Sequence, residues 1–419
     1  MKVYKFGGAA AATPLLMTKI APIIKDGNAD VIVISAIAKN TNALEEVVRE
    51  AVQGNRERAE ELVKEIETWH QDFARELLND TFYEYTLNNL NEYFTELHWA
   101  LDDAQIQADD YVYDQIVCIG ELVSSTILYA YLKQEGQDVE WLDIRDVIKT
   151  DESYRHAEVN NELTNDLIIK HILPLIQQGK RVITQGFIGS STDNNSTTLG
   201  REGSDYTASI LAAALDAESV TIWKDVPGFL NADPKYFNPT VKLEKISFYE
   251  VIELAFYGAQ IIHPKTIKPI QNKNIPLFVK SFIKPEEPGT VIQNMNEIID
   301  YPCMRVLKHN QTMIQLTTQD FSFIDERDLK VVYELCSTLH LKINLLQHTA
   351  ISLVICVSHE DYKLSPFLEQ LKDKYIIKRN EDLKLLTIRH YNEEELKNFY
   401  SENTVLLEQR TRHTVQLLY

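Results

Sequence analysis

Short apolar runs of strand length, set between stretches with helical spacing, limit most strongly what this chain can fold into. Val31–Ser35 is β-branched and shows no polar/apolar alternation, so it reads as a strand buried on both faces. Similar runs recur at Gln115–Ile119, Arg181–Thr184, Ser219–Trp223 and Ile275–Val279. Between them, Thr41–Lys64 and Tyr85–Asp103 carry apolar residues every three or four positions amid charges, which predicts helices. Strands alternating with helices predict an α/β layered domain around a mostly parallel sheet. Lys284-Pro285-Glu286-Glu287-Pro288-Gly289 then marks an approaching boundary.

The texture changes after Asp300. Strand Thr312–Leu316, helix Glu326–His340, strands Lys342–Leu346 and Ile351–Val357, helix Leu364–Lys374 and strand Tyr375–Lys378 follow in the β-α-β-β-α-β order of a ferredoxin-like unit. A shorter partner follows: strand Lys384–Arg389, helix Glu393–Phe399, then Val405–Gln409 and Thr414–Leu418. It reads as a second copy without its last helix and strand. The predicted division is therefore residues 1–295 for the layered domain and 305–419 for the tandem α+β region, within the two or three domains expected for 419 residues.

Composition narrows the function classes. A 44% hydrophobic and 25% charged content is that of a globular chain, and a formal charge of −20 argues against nucleic acid or an anionic membrane as principal partner. The longest apolar runs have strand length only, and the N-terminus lacks the basic, apolar and small-residue succession of a signal peptide, so a cytoplasmic protein is expected. Cys118, Cys303, Cys336 and Cys356 are far apart and show no metal spacing, which fits free thiols in a reducing compartment.

With such a net charge, an anionic ligand must be held by local positive groups. Lys5-Phe6-Gly7-Gly8 closes the first strand, with a helix expected near Thr13-Pro14. Paired glycines let backbone N–H groups approach phosphate oxygens, and a lysine beside them can neutralise charge developing in transfer. It is not a Walker loop, since GxxxxGK[ST] is absent, and a plain strand-to-helix turn explains it equally well. More informative is Thr197-Thr198-Leu199-Gly200-Arg201-Glu202-Gly203-Ser204-Asp205-Tyr206-Thr207-Ala208, ahead of an apolar helix. Arg201 suits a carboxylate, Asp205 suits a lysine or metal, and Ser204 or Asp205 can also be simple helix caps. Glu121 is expected just after the Gln115–Ile119 strand, where α/β proteins bind ligands, or as a helix N-terminal residue complementing the macrodipole. Lys224 and Lys235 lie in a turn-rich stretch after Trp223, facing a nucleotide or solvent. His263, without a partner motif, is assigned to packing or a structural hydrogen bond.

KFGG at 5–8, SAIAKNTNAL at 35–44, GELVS at 120–124, QGFIGS at 185–190, TTLGREGSDYTA at 197–208, WKDVPGFLNADPK at 223–235 and GAQIIHPKTIKP at 258–269 stand in the order expected of aspartate kinases. By these blocks the chain resembles the aspartate kinase family over nearly its whole length, with two ACT-type regulatory units at 305–419. The resemblance implies ATP and L-aspartate giving 4-phospho-L-aspartate and ADP, with Mg2+ and no direct side-chain metal ligand. That reaction opens the route toward lysine, threonine and methionine. It also implies catalytic roles for Lys5 and Asp205, and an aspartate pocket of Ser35, Thr41, Glu121, Phe187, Arg201 and Ser204. ATP contacts are implied at Gly7, Gly8, Lys224, Asp225 and Lys235. Effector contacts would fall at Asn344, Thr349 and Ile351, and a homodimer would form through the ACT region. Asn344 stands where lysine-sensitive relatives tend to have an aspartate, so threonine or no effector is expected. A carboxylate nucleophile needs no general base, in keeping with the lack of a Ser/His/Asp arrangement.

Two rival readings remain. One is a kinase for another small acid, such as glutamate, N-acetylglutamate or carbamate. The other is a non-catalytic amino-acid sensor, favoured by Ala9-Ala10-Ala11-Ala12, where relatives carry hydroxyls, and by Gln260, where some carry a lysine.

Overall fold

A computed structural model describes residues 1–102, 110–295 and 299–419. The chain forms two compact units, the first made of Met1–Phe229, Lys242–Ile252 and Gln260–Asn296, the second of Leu230–Val241, Glu253–Ala259 and Glu297–Tyr419.

The strands of the first unit are β1 (Lys2–Phe6), β2 (Val31–Ile34), β3 (Val139–Trp141), β4 (Arg181–Gln185), β5 (Ile188–Ser190), β6 (Ser196–Thr198), β7 (Ser219–Lys224), β8 (Lys245–Ser247), β9 (Leu277–Ser281) and β10 (Thr290–Gln293). Among the described residues, eight of them form one sheet in the order β3-β4-β2-β1-β7-β9-β10-β8, parallel except where β10 meets β9. The helices are α1 (Pro14–Thr18), α2 (Ile20–Gly27), α3 (Asn40–Val52), α4 (Arg56–Leu77), α5 (Asp80–Asp102), α6 (Asp110–Gln134), α7 (Asn161–His171), α8 (Leu173–Gln177), α9 (Gly203–Ala214), α10 (Phe248–Tyr257) and α11 (Pro264–Asn272). All four residues of β2 are buried, as a two-sided strand requires. Thr13 caps α1 by accepting the Leu16 N–H, so the helix starts where the Thr-Pro pair predicts.

Three expectations need correction. Gln115–Ile119 is not a strand but part of α6, a helix buried on nearly every face. A run buried all round has no amphipathic period, so a five-residue window cannot tell strand from helix. The same helix is long and apolar enough to cross a membrane, but 89% of its apolar window is buried inside the protein, the mark of a core helix. Thr41–Lys64 is not one helix: α3 and α4 are separated at Gln53-Gly54-Asn55. The Tyr85–Asp103 helix exists as α5, which begins earlier, and Asp103 lies outside the described residues.

The second unit carries β11 (Met304–Thr318), α12 (Glu326–Thr338), β12 (Ile343–His348), β13 (Ser352–Ser358), α13 (Asp361–Leu371), β14 (Tyr375–Arg389), α14 (Glu393–Glu402), β15 (Leu407–Arg410) and β16 (Thr414–Leu418). They build one antiparallel sheet in the order β12-β13-β11-β14-β16-β15. The β-α-β-β-α-β order holds, with α12 and α13 burying Val332, Cys336, Leu364, Phe367 and Leu371 against Ile314, Leu316, Leu353 and Ile355. The shorter copy, however, does not lack its last strand. The segments Tyr375–Lys378 and Lys384–Arg389 are one strand, β14, and Met304–Lys308 of β11 pairs with Leu385–Arg389. The first half of β11 thus supplies the fourth strand, and Leu396 of α14 closes a core on Leu386, Ile388, Val415 and Leu417. Of the four thiols, Cys118, Cys336 and Cys356 are buried and free, while Cys303 is half-buried and donates to the His390 carbonyl.

Candidate active site

Parallel strands end together, so their carboxyl ends converge on one edge of the sheet, the usual binding edge of α/β folds. Here that edge collects Lys5 from β1, Ser35 after β2, Phe187 after β4 and Lys224 at the end of β7. Register places Lys5 beside Val33 and Ile222, and Phe6 stacks on Trp223 with centroids 6.0 Å apart, which fixes the ends of β1 and β7 together. Gly8 must be glycine: a Cβ there would lie 2.6 Å from the carbonyl oxygens of Ala36 and Ala38. That close approach seats the β1 turn against the β2 turn.

Between these ends and the first turn of α9 lies a cleft of about 510 Å³. It is lined by Lys5, Ser35, Thr41, Glu121, Phe187, Arg201, Ser204, Asp205 and Lys224, nine of the predicted site residues. Lys5 Nζ is 2.7 Å from Asp205 Oδ1, and Lys224 Nζ is 3.7 Å from Asp205 Oδ2. Burial pushes the Asp205 carboxyl up, but the two ammonium groups outweigh it and hold the acid below its ordinary range. Lys224 also donates to the Ile261 carbonyl. Ser204 and Asp205 are first-turn residues of α9 rather than caps; the N-cap is Glu202, in the left-handed region at φ 57°.

Glu121 corrects its expected setting. It lies in the middle of α6, neither after a strand nor at a helix start. It is 3% exposed, and one of its carboxylate oxygens has no hydrogen-bond partner. Burial pushes its carboxyl up to about 8, against a smaller opposite pull from the Ala36 N–H and Lys5. A buried acid with an unused oxygen facing a cleft is a receptor for a donor group. One helical turn later, Ser124 donates to the Ser35 carbonyl at 2.8 Å, so α6 places both Glu121 and the end of β2.

The remaining predicted residues stand apart. Gly7 approaches the pair from the β1 turn: a Cβ on it would be 3.6 Å from Lys5 Nζ. Asp225 and Lys235 are exposed and do not line the cleft, and Lys235 belongs to the second unit. Ala10 is fully buried and Gln260 exposed, and neither lines the cleft. His263 caps α11 through Lys265 N–H, the structural bond expected of it. In the second unit Asn344 is buried and already engaged: Lys308 donates to its Oδ1 at 2.7 Å, and its Nδ2 donates to Gln311 at 2.8 Å. Thr349 is tied to Ser352 in a turn, and Ile351 is half-buried.

Glu45, Tyr113, Arg155, His156 and Glu202 also line the cleft and were missed. Glu45 falls one turn after Thr41 on α3, a signal readable in the sequence. Tyr113 became a candidate only once α6 was a helix. Arg155 and His156 sit in a turn that carries no motif.

The pattern of the amino acid kinase family matches residues 1–281. The chain belongs to the amino acid kinase family, and within it to the aspartokinases. It is 32% identical over 357 residues to the lysine-sensitive aspartokinase 3 of Escherichia coli, covering 84% of this chain and 77% of that one. The bifunctional aspartokinase/homoserine dehydrogenase 2 of Arabidopsis thaliana is 30% identical over 302 residues, so that the chain spans 32% of that larger protein. The crystal structure of the Escherichia coli aspartokinase III in complex with aspartate and ADP superposes with a TM-score of 0.84 at 27% identity, covering 100% of this chain and 96% of that one. An aspartokinase fold thus underlies the cleft.

Proposed function

We propose that the chain transfers the terminal phosphoryl group of ATP to the side-chain carboxylate of L-aspartate, giving 4-phospho-L-aspartate and ADP. The observation that carries the reading is one cleft holding both a lysine pair on a buried Asp205 and a buried Glu121 with an unused oxygen. The first suits phosphate and the second suits an α-ammonium. Aspartokinase relatives and the aspartate- and ADP-bound structure support the same substrates.

In this reading Arg201 clamps the α-carboxylate, and Ser35, Thr41, Phe187 and Ser204 shape the aspartate pocket. The side-chain carboxylate is already a nucleophile, so the protein's work is alignment and charge stabilisation. Lys5, oriented by Asp205, faces the oxygens on which charge develops, while Lys224 and the Gly7-Gly8 turn hold the phosphates. Asp225 and Lys235 are assigned to ATP on the resemblance alone. Mg2+ would come with the nucleotide and would neutralise part of the phosphates' charge. Glu202, with one buried unpartnered oxygen on the cleft wall, would be a carboxylate available to the hydrated ion.

The kinase domain is assigned to residues 1–295 and the ACT pair to 305–419. A homodimer through the latter is supported by the outer strands β12 and β15 and by exposed Phe321 and Phe323. Asn344 Oδ1 already accepts from Lys308, which would leave it unavailable to an effector ammonium and favours threonine or no effector over lysine. A cytoplasmic location is proposed with it, as a compartment that supplies both ATP and L-aspartate. The test is coupled ADP release with L-aspartate, D-aspartate, L-glutamate and N-acetylglutamate. Turnover with L-aspartate alone supports the reading, turnover with another acid reassigns the substrate, and none at all leaves a sensor.

A further inference from the structure

One carboxylate outside the cleft holds two of its walls together. Asp114, on α6, is fully buried and accepts four hydrogen bonds. The Arg155 N–H reaches its two oxygens at 3.1 and 3.0 Å, the Thr198 N–H reaches Oδ2 at 2.7 Å, and the Thr198 hydroxyl donates to Oδ1 at 2.7 Å. Thr198 ends β6 and directly precedes the loop 199–202, which carries Arg201 and leads into α9. Arg155 is held at φ 64°, a left-handed conformation that costs a non-glycine residue and persists only when its surroundings impose it.

The two segments are further joined to each other. The Ala157 N–H donates to the Thr198 carbonyl at 3.0 Å. Gly200, at φ 76°, is bare where a Cβ would come within 2.3 Å of His156 Nδ1, so the imidazole packs directly on the loop backbone. From this anchored turn the Arg155 guanidinium extends over the Tyr113 ring, 4.2 Å from its centroid, and pairs with Asp110 at 2.7 Å. Tyr113 in turn donates to Glu45 at 2.6 Å, closing a strap along the cleft wall from α6 to α3.

Resting on the aspartate kinase reading, the geometry points to Asp114 as a positioning residue: it touches no substrate, and it sets the Arg201 loop and the Arg155 turn at the separation that aspartate binding requires. Burial pushes its carboxyl up to about 6, and the four bonds pull the other way, so at neutral pH it remains an anion and purely an acceptor. An asparagine of the same shape has one acceptor oxygen where the three donor groups need two, and its amide would face an N–H. The nucleotide side, built on β1 and β7, is not held by this carboxylate. The expected signature is therefore a split between the two substrates.

The test uses the full chain, assayed for ADP release well below its melting temperature. Asp114→Asn should raise the KM for L-aspartate about tenfold while the KM for ATP stays within about twofold, because sub-ångström misplacement of a clamp acts on the ligand it grips. Thr198→Val, which removes only the hydroxyl donor, should raise the aspartate KM about threefold, and Thr198→Ser should restore it. The threonine pair decides the matter if Asp114→Asn fails to fold. Equal changes in both KM values, or a Thr198→Ser variant as impaired as Thr198→Val, would overturn the proposal. A wild-type chain that releases no ADP with aspartate refutes the functional reading instead. Hydrogen exchange then judges the anchor by itself: faster exchange confined to 155–157 and 198–204 in Asp114→Asn upholds it, and unchanged exchange there sinks it.

Discussion

Binding of L-aspartate should expel a proton from Glu121. With a carboxyl near 8, about one molecule in ten carries the ionised glutamate at pH 7, and about half do at pH 8. An α-ammonium pairs only with the ionised form, so the apparent affinity is reduced by that fraction. Raising the pH from 7 to 8 should tighten aspartate binding about fivefold, and at pH 7 each binding event should release about 0.9 proton. Asp205 adds nothing to this count, being already held ionised by Lys5 and Lys224. Calorimetry in buffers of different ionisation enthalpy reads the proton directly, and Glu121→Gln subtracts the contributions of every other group. The unliganded protein should show the matching stability trend. The folded pKa lies above the unfolded value of 4.5, so the folded state binds the extra proton; stability from this group is complete below about 4.5 and declines as the pH rises through 8. Saturating aspartate should flatten that decline. Proton release equal in wild type and Glu121→Gln would show that Glu121 does not receive the ammonium.

Further outcomes follow from the other groups. Lys5→Ala should lower kcat about 100-fold or more with little change in aspartate KM, by loss of one donor aimed at developing charge; near-normal turnover in a folded variant refutes that role. The same change leaves Asp205 buried with only Lys224, at 3.7 Å, and should destabilise the fold by about 3 kcal/mol in denaturant titration. Arg201→Lys should raise the aspartate KM and spare that of ATP, since an ammonium cannot copy a bidentate fork; a rise for ATP alone would move Arg201 to the nucleotide side. Light scattering should give a dimer mass, and millimolar lysine should leave the rate within about twofold, since a ligand shifts only an equilibrium whose states it binds differently. Strong lysine inhibition would show that Lys308 yields its place on Asn344.

Local chemistry was enough for part of this protein. The turn at Gly7-Gly8, the start of α1 at Thr13-Pro14 and the two-sided strand β2 are written in short-range preferences. So is the β-α-β-β-α-β order of the second unit, because its helices and strands are amphipathic and carry a period. The nine cleft residues were named through the resemblance of the motif blocks; Lys5, Ser35, Phe187 and Lys224 then meet because parallel strands bring their ends to one edge, whereas Glu121 arrives on α6. Tertiary structure decided the rest. Only burial on all sides makes Gln115–Ile119 a stretch of helix, and only that helix puts Glu121 mid-element and Asp114 two turns before it. Only long-range pairing lets Met304–Lys308 complete the shorter ACT-like copy, since a strand's partner across some eighty residues leaves no trace in its own spacing. Arg155 and His156 reach the cleft for the same reason. Their place is set by a carboxylate forty-one residues earlier in the chain and by a glycine forty-five residues beyond Arg155, and hydrogen bonds closed across such distances are properties of the packed chain, not of any window along it.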